Sequence, residues 1–207
     1  MKKIDIVFTD LCKKFGSLQL YEGLCGEIAA GTCVAVLGKN GAGKSTFLKI
    51  LAGMLAPTAG TVQYLAGGCS LTRDEFRQNT GFLTPEVQFY ENLTAKENLA
   101  FFINISGTIC SAEALAQRLS ETALEGFQDE RVKNFSTGMR QRLKLALLLA
   151  IERPVWFLDE PSSNLDEEGC KLIGDAITDA RNAKKTILLA TNDLAEVEYA
   201  DYVIRIA

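Results

Sequence analysis

The stretch from Gly38 to Thr46, GKNGAGKST, constrains the fold of this chain more than any other part of it. It follows an apolar run, 32–37, that is typical of a buried parallel strand, and it precedes residues 47–52, which have a helical pattern. In that context the pattern G-x-x-x-x-G-K-[ST] predicts a P-loop, whose glycines let backbone N–H groups approach phosphate oxygens. The alternative is a glycine-rich loop that only caps a helix.

The residue types in this stretch predict separate roles. Lys44 would reach the β- and γ-phosphates as a mobile positive charge, Ser45 would bind Mg²⁺, and Thr46 lies close enough to contact the α-phosphate. The dipole of the following helix adds to the attraction for an anion. We predict nucleotide contacts for Gly38, Lys39, Asn40, Gly41, Ala42, Gly43, Lys44, Ser45 and Thr46.

Composition limits the other classes of function. The 207 residues are 47% apolar and 23% charged, which is ordinary for a soluble globular protein. A net charge of −4 argues against a nucleic-acid partner held by a general basic field. The six cysteines form no C-x-x-C pair and the chain has no histidine, so we predict reduced cytosolic thiols and no zinc site.

Neither a secretion signal nor a membrane span is predicted. Asp5 and Asp10 interrupt what would be the apolar part of a signal peptide. The most apolar stretch, 143–151, contains Lys144 and falls far short of the roughly 20 residues that a bilayer span requires. Any work at a membrane would therefore need a partner that supplies the spans.

The first part of the chain predicts strands at 4–8 and 18–28 around a polar turn, 13–17. This turn carries Phe15, which we interpret as a candidate for stacking on adenine, with a core anchor as the alternative. After the P-loop helix we expect a strand at 61–65. A polar helix at 71–78 and a strand at 80–83 follow.

The pattern then changes. Consecutive helices at 95–105 and 111–124 are predicted between about 86 and 132, without strand-like alternation, which indicates a helical insertion in an α/β unit. Ser136 is a candidate N-cap for a further helix that runs to about Glu152, with Gly138 in its first turn. Free N–H groups there would form a second anion site, although taken alone the segment is only a capped helix.

Two adjacent carboxylates, Asp159 and Glu160, follow the apolar strand Val155–Leu158. Carboxylates at the end of a buried strand are costly unless they hold a metal or a water molecule. We predict that Asp159 is a second Mg²⁺ partner, through water, and that Glu160 is the general base. The alternative is an N-cap pair for the next helix, 167–183, which precedes strands at 186–191 and 202–206.

Along essentially its whole length the chain resembles the nucleotide-binding subunit of an ABC transporter, through GKNGAGKST, FSTGMRQR, VWFLDEP, SSNLD and TND in that order. The resemblance implies a single α/β domain, a P-loop NTPase of the ABC cassette type. It implies a RecA-like core with an N-terminal antiparallel β subdomain, at about 1–85 and 134–207, and an inserted α-helical subdomain at about 86–133.

The resemblance also implies residue roles. Gly38–Thr46 would be the Walker A motif, Phe135–Met139 the signature, Asp159 and Glu160 the Walker B pair, Asn164–Asp166 the D-loop, and Phe15 the adenine-stacking aromatic. In that family two subunits enclose two ATP molecules head to tail. Ser136 and Gly138 of one subunit would therefore contact the γ-phosphate held by Lys44 of the other.

Three positions depart from the family pattern. The signature has Phe135, Thr137 and Met139 where Leu, Gly and Gln are commonest, a form similar to exporter-type cassettes. Pro85 stands where a glutamine is expected to reach Mg²⁺, which leaves Glu86 or Gln88 as its replacement, and we assign Glu86 as a metal partner. Asn192 replaces the histidine after the last core strand, and we assign it a catalytic role.

These observations predict an ATP- and Mg²⁺-dependent ATPase at the inner face of the cell membrane, held there by a membrane-spanning permease subunit. It would form a homodimer or pseudo-dimer with ATP and have no nucleic-acid partner. Its short length is similar to cassettes of the haem-exporter type in cytochrome c maturation, although drug or lipid exporters fit almost as well, and its cargo is not encoded. The alternatives are a non-transport ABC ATPase, for which no long insertion, second cassette or basic stripe is visible, and a regulatory ABC ATPase with weak turnover.

Overall fold

The computed structural model describes residues 2–206. Its strands are β1 (Ile4–Phe15), β2 (Leu18–Ile28), β3 (Cys33–Leu37), β4 (Ala59–Ala66), β5 (Cys69–Leu71), β6 (Thr80–Leu83), β7 (Val155–Asp159), β8 (Thr186–Thr191) and β9 (Tyr202–Arg205). Its helices are α1 (Lys44–Leu51), α2 (Arg73–Arg77), α3 (Ala95–Ile105), α4 (Ala112–Glu121), α5 (Thr137–Ile151), α6 (Glu167–Asn182) and α7 (Leu194–Val197).

The residues fall into two units. The first unit contains the residues up to Thr80, Pro154–Glu160 and the residues from Ile177 onward, and the second contains Gly81–Arg153 and Pro161–Ala176. The division into subdomains at residues 85 and 134 stays a prediction. No helix among residues 2–206 is long and apolar enough to span a bilayer.

An antiparallel sheet in the first unit has the strand order β2-β1-β4-β5. Strand β1 pairs with both β2 and β4, and its residues Ile4, Ile6 and Phe8 alternate into the core. The predicted end of this strand at residue 8 and the polar turn at 13–17 are wrong. The strand continues to Phe15 because its pairing with β2 resumes after each of several register shifts and ends only at Phe15 opposite Leu18, so that only residues 16–17 form the turn.

A parallel sheet in the first unit contains β7, β8, β3 and β9 in that order. Strands β3, β7 and β8 are buried at every position, as expected for parallel strands that are covered on both faces. Leu37 is opposite Thr191, and Asp159 is opposite Ala190. The residues that follow these three strands therefore lie along one edge of the sheet.

Helix α1 packs through Phe47, whose side chain is fully buried. Its ring makes edge-to-face contacts with Phe8, at a centroid distance of 5.4 Å, and with Tyr21, at 5.8 Å. The helix that begins at Lys44 is thereby fixed against the antiparallel sheet.

The second unit has its own core between α3, α4 and α5. The fully buried residues of this core include Leu99, Leu124, Val132, Leu143 and Ala146. A capping box at Thr94 begins α3, since its hydroxyl accepts from the Glu97 N–H while the Glu97 carboxylate accepts from the Thr94 N–H. The helix predicted at 95–105 is confirmed, and that at 111–124 is shorter, at Ala112–Glu121.

The polar helix predicted at 71–78 is only partly correct. Leu71 belongs to β5, where it pairs with Tyr64, and α2 spans only Arg73–Arg77. A capping box between Thr72 and Glu75 fixes the helix start. Pairing with the preceding strand β4 thus overrides the local helical pattern at Leu71. The short helix α7 was not predicted.

We expect Phe47→Ala to destabilise the protein by about 3–5 kcal/mol, because it removes a fully buried ring and leaves a cavity beside two aromatic neighbours. Urea unfolding followed by circular dichroism would measure the loss. Leu194→Ala is the control, since Leu194 is 75% exposed and should change stability by less than about 0.5 kcal/mol. Equal effects of the two substitutions would contradict this assignment of the core.

Candidate nucleotide-binding site

The loop between β3 and α1 depends on three glycines for two different reasons. Gly41 and Gly43 have φ values of 84° and 96°, in the left-handed region that side chains with a Cβ disfavour. Gly38 has ordinary φ, but a Cβ there would lie 2.6 Å from the carbonyl oxygen of Ile206. Larger residues at any of the three positions would change the path of the loop.

The N-terminus of α1 presents backbone donors. Gly43 is the N-cap and supplies no side-chain acceptor. The Phe47 N–H donates to the Gly43 carbonyl at 2.8 Å, whereas within residues 2–206 the N–H groups of Lys44, Ser45 and Thr46 have no acceptor. Unpaired N–H groups at the positive end of a helix dipole attract anions, so this end of the helix fits a phosphate group.

Lys44 lies across the loop with a side chain that is only 5% exposed. Its Nζ donates to the carbonyl oxygens of Gly38 at 2.9 Å and Lys39 at 3.4 Å. It also lies 3.7 Å from Oε1 of Glu160. A largely buried ammonium is thus held by two loop carbonyls and faces one carboxylate, an arrangement in which a phosphate oxygen can replace Glu160 as the anionic partner.

A cavity of about 380 Å³ opens above this loop and is lined by six residues of the P-loop, between Asn40 and Thr46, together with Phe15, Leu20 and Glu160. Phe15 is 50% exposed, and the Lys13 Nζ lies 4.7 Å from its ring centroid. The exposed ring is available for stacking on a base, while the alternative role as a core anchor does not fit its exposure. Its contact with adenine stays a prediction.

The two carboxylates after β7 differ in their surroundings. Asp159 is 4% exposed, whereas the Glu160 side chain is 38% exposed. Glu160 has φ of 46°, a strained backbone for a residue with a side chain, and its N–H donates to the Ala190 carbonyl at 2.8 Å. The left-handed turn directs its carboxylate to Lys44. Because α6 begins only at Glu167, the alternative that the pair caps the next helix does not fit.

Asn192, directly after β8, also reaches the P-loop. Its Nδ2 donates to Oδ1 of Asn40 at 3.1 Å. The edge of the parallel sheet therefore brings together Lys44, Glu160, Asn40 and Asn192, four of the residues that the sequence predicted. The assignment of each to catalysis or nucleotide binding stays a prediction.

The signature segment lies in the second unit. Ser136 is confirmed as the N-cap of α5, since its Oγ accepts from the Met139 N–H at 3.2 Å. Gly138 lies near the Asn164 carbonyl oxygen, which a Cβ would meet at 3.4 Å, an ordinary van der Waals distance. Contact of Ser136 and Gly138 with a nucleotide stays a prediction.

Arg142 was not singled out from the sequence, yet it holds the segment after Pro161. Its guanidinium, 12% exposed, donates to Oδ1 of Asp166 at 2.8 Å and to Oε2 of Glu168 at 3.0 Å. The hydrogen bond from Arg142 lowers the pKa of Asp166. No local pattern distinguishes Arg142 from the neighbouring Arg140, which instead pairs with Glu91.

Lys144 was likewise missed as an organising residue. Its Nζ donates to the carbonyl oxygens of Thr84 at 3.0 Å and Pro85 at 3.4 Å. Burial lowers the pKa of Lys144, and the charge of Glu86 opposes that shift. The loop that contains the departure at Pro85 is thus fixed from α5, in the second unit.

Two of the predicted metal ligands have oxygen donors of the kind that Mg²⁺ prefers. Within residues 2–206 no group of three or more His, Cys, Asp or Glu side chains is placed to hold a metal ion. Ser45 and Asp159 supply hydroxyl and carboxylate oxygens, the hard donors that Mg²⁺ prefers when it keeps several water ligands. The first unit therefore fits the ion, and Glu86, in the second unit, stays a predicted partner.

A glycine loop between a buried parallel strand and a helix, with a lysine and a carboxylate at the same sheet edge, defines a P-loop nucleotide-binding protein. The ABC transporter family model matches residues 21–163. The chain therefore belongs to this family, and the family resemblance and the fold class predicted from the sequence are confirmed.

Relatives from several systems are similar to this chain. The Nod factor export ATP-binding protein I of Burkholderia lata is 35% identical over 93% of this chain, which spans 64% of that protein's length. The cytochrome c biogenesis ATP-binding export protein CcmA of Vibrio vulnificus is 31% identical over 84% of each chain. A dimeric structure of a bacterial ABC transporter cassette superposes with a TM-score of 0.83 and 25% identity, over 97% of this chain and 94% of that one.

We expect Lys44→Ala to abolish measurable Mg-ATP binding, because the phosphates would be left to backbone dipoles alone. Isothermal titration calorimetry would measure the affinity. Lys171→Ala, which removes an exposed lysine from α6, is the charge-matched control and should bind as the parent does. A Lys44→Ala affinity within about threefold of the parent, about 0.7 kcal/mol, would contradict the assignment.

Proposed function

We propose that this chain is the ATP-binding and ATP-hydrolysing subunit of an ABC exporter. The observation that carries the proposal is the Lys44 ammonium, held by the P-loop carbonyls and 3.7 Å from the Glu160 carboxylate at the same cavity. The cation suits the phosphates of a nucleotide, and the carboxylate suits the water that attacks the terminal phosphate. ATP hydrolysis needs both at one sheet edge.

Nucleotide binding rearranges this charge pair. The N–H groups at the start of α1 and the Lys44 ammonium bind phosphate oxygens, and Phe15 offers its exposed ring to the base. As Lys44 turns to the phosphates, Glu160 loses its cationic partner and becomes available to a water molecule. Mg²⁺, when bound, would supply positive charge that offsets the phosphate charge, held by Ser45 and, through water, by Asp159.

Glu160 then acts as the general base. Its carboxylate accepts a proton from the water whose oxygen bonds to the terminal phosphorus, while the bond from that phosphorus to the bridging oxygen breaks. The products are ADP and inorganic phosphate. The strained backbone at Glu160 is held by the hydrogen bond to Ala190, so the carboxylate is positioned before the substrate arrives.

The proposal has two further parts, which are dimerisation in the presence of ATP and binding to a membrane partner. The dimeric cassette to which this chain is similar supports dimerisation, and the export proteins among its relatives support a membrane partner. Ser136 and Gly138 would contact the nucleotide held by the partner subunit. The subunit would lie at the cytoplasmic face of the membrane, bound to a permease.

We expect Glu160→Gln to bind ATP within about threefold of the parent and to hydrolyse it at least about 100-fold more slowly, because the amide does not accept the proton. Phosphate release and calorimetry measure these two effects. Glu167→Gln, at an exposed carboxylate, is the control and should retain full turnover. Unchanged turnover in Glu160→Gln would place the base at another residue.

The same variant tests the dimer. With hydrolysis blocked, Glu160→Gln should elute as a dimer on gel filtration in ATP and as a monomer without it, whereas adding Ser136→Arg should prevent dimerisation. A double variant that still dimerises in ATP would contradict the role of Ser136.

The turnover of variants at Asn192 distinguishes this proposal from the alternative of a regulatory ABC ATPase with weak turnover. The Asn192 amide donates to Asn40 and cannot carry a charge. We expect Asn192→Ala to lower kcat by about five- to tenfold, the loss of about 1 kcal/mol of hydrogen bonding. Asn192→His should raise kcat, since a protonated imidazole donates a charge-assisted bond to phosphate.

A double-mutant cycle separates the bond to Asn40 from other effects. If Asn192 acts through Asn40, Asn40→Ala should lower kcat about as much, and the double variant should be no slower than the slower single variant. Additive losses, or an Asn192→Ala variant as fast as the parent, would contradict this coupling. Steady-state phosphate release gives all four rates.

A further inference from the structure

A second cavity, of about 310 Å³, lies in the first unit where the end of α1 meets β4 and β5. None of its lining residues lines the nucleotide cavity. Its walls are almost equally polar and apolar, and the apolar side chains include Ile50, Leu55, Val62 and Leu71. The volume is within the lower range for sites that bind small organic molecules.

One polar side chain at this cavity is fixed in place by its ring. Tyr64 is 5% exposed, and its ring stacks on Phe76 at a centroid distance of 3.8 Å and an interplanar angle of 9°. Phe76 in turn makes an edge-to-face contact with Phe157. Because the ring is held in this aromatic column, the position of its hydroxyl is fixed as well.

The Tyr64 hydroxyl makes no hydrogen bond to any group in residues 2–206. Burial raises the pKa of Tyr64 to about 12, so the hydroxyl keeps its proton at neutral pH and is a donor. The hydroxyl oxygen is not among the buried side-chain atoms that lack a partner, so it opens to the cavity. An acceptor that enters the cavity can therefore receive a hydrogen bond from it.

Arg73 brings a positive charge to the same point. A Cβ on Gly53 would lie 2.7 Å from Cγ of Arg73 and 3.0 Å from the Tyr64 hydroxyl oxygen, so glycine leaves the space that both groups use. In the described part of the chain Arg73 has no ion-pair partner, whereas Arg77, on the same helix, lies 4.0 Å from Asp74. One guanidinium without an ion pair and one hydroxyl donor thus meet at a cavity whose remaining walls include several apolar side chains.

We propose that this cavity binds a small organic carboxylate, with the carboxylate between Arg73 and Tyr64 and an apolar body against Ile50, Leu55 and Leu71. A carboxylate carries one charge and accepts from both donors, in the planar geometry that a guanidinium prefers. A phosphate would bring more charge than one arginine offsets and no apolar body to cover the walls. An organic cation would meet Arg73 unfavourably.

Benzoate is the probe, because its ring and carboxylate match the two parts of the cavity. In a titration of the ¹⁵N-labelled full chain we expect saturable shifts at the amides of Gly53 and Ser70, with a Kd on the order of 1 mM. Benzamide, which keeps the shape but not the charge, should bind at least about tenfold more weakly. Inorganic phosphate should cause no saturable shift at these amides.

Three variants test the assignment. Arg73→Gln should raise the benzoate Kd at least about tenfold, and Tyr64→Phe, which keeps the ring stacking, about threefold or more. Arg77→Gln is the matched control on the same helix, outside the cavity, and should leave the Kd unchanged. Mg-ATP affinity should stay at the parent value in all three, which separates this site from the proposed ATPase function.

Several outcomes would overturn the proposal. If benzamide bound as tightly as benzoate, the site would not recognise the carboxylate group. If Arg73→Gln and Arg77→Gln had equal effects, the binding would depend on the net charge of the protein and not on Arg73. An unchanged benzoate Kd in Tyr64→Phe, with an unfolding midpoint equal to the parent's, would mean that the hydroxyl bonds water alone. Shifts confined to Gly41 and Gly43 would place benzoate in the nucleotide cavity.

Discussion

The position of the Lys44 ammonium is the constraint on which the nucleotide site depends. A cation that is 5% exposed must have acceptors, and it finds them in the Gly38 and Lys39 carbonyls and in Glu160. Those carbonyls are in place only because Gly38 passes close to the Ile206 carbonyl, where no side chain fits. The path of the loop, the end of β9 and the charge of the site are therefore linked.

The parallel sheet supplies the second half of this arrangement. Its three fully buried strands are matched in register, so that Leu37, Asp159 and Thr191 end at one edge. The chain after β7 then turns through a left-handed conformation at Glu160, which costs about 1–3 kcal/mol. A backbone hydrogen bond to Ala190 of β8 helps to offset this cost. The base is thus held by the core of the sheet.

Patterns within a few adjacent residues predicted the elements that depend only on those residues. The glycine spacing of the P-loop, the strand Thr186–Thr191, the helix Ala95–Ile105 and the N-cap at Ser136 all follow from a few adjacent residues. The end of β1 at Phe15 did not, because pairing with β2 extends that strand.

Contacts between residues that are far apart in sequence could not be predicted from local patterns either. Arg142 bonds Asp166, 24 residues away, and Asn192 bonds Asn40, 152 residues away. Sequence reasoning placed Asn192 at the correct sheet edge but did not foresee its bond to Asn40, and its assignment to phosphate stays a prediction. The bond to Asn40 gives the asparagine at position 192 a structural role, because a hydrogen bond between two neutral amides can hold the P-loop against the end of β8. Neither amide titrates, so this hydrogen bond stays uncharged throughout the neutral pH range, which a histidine at position 192 would not.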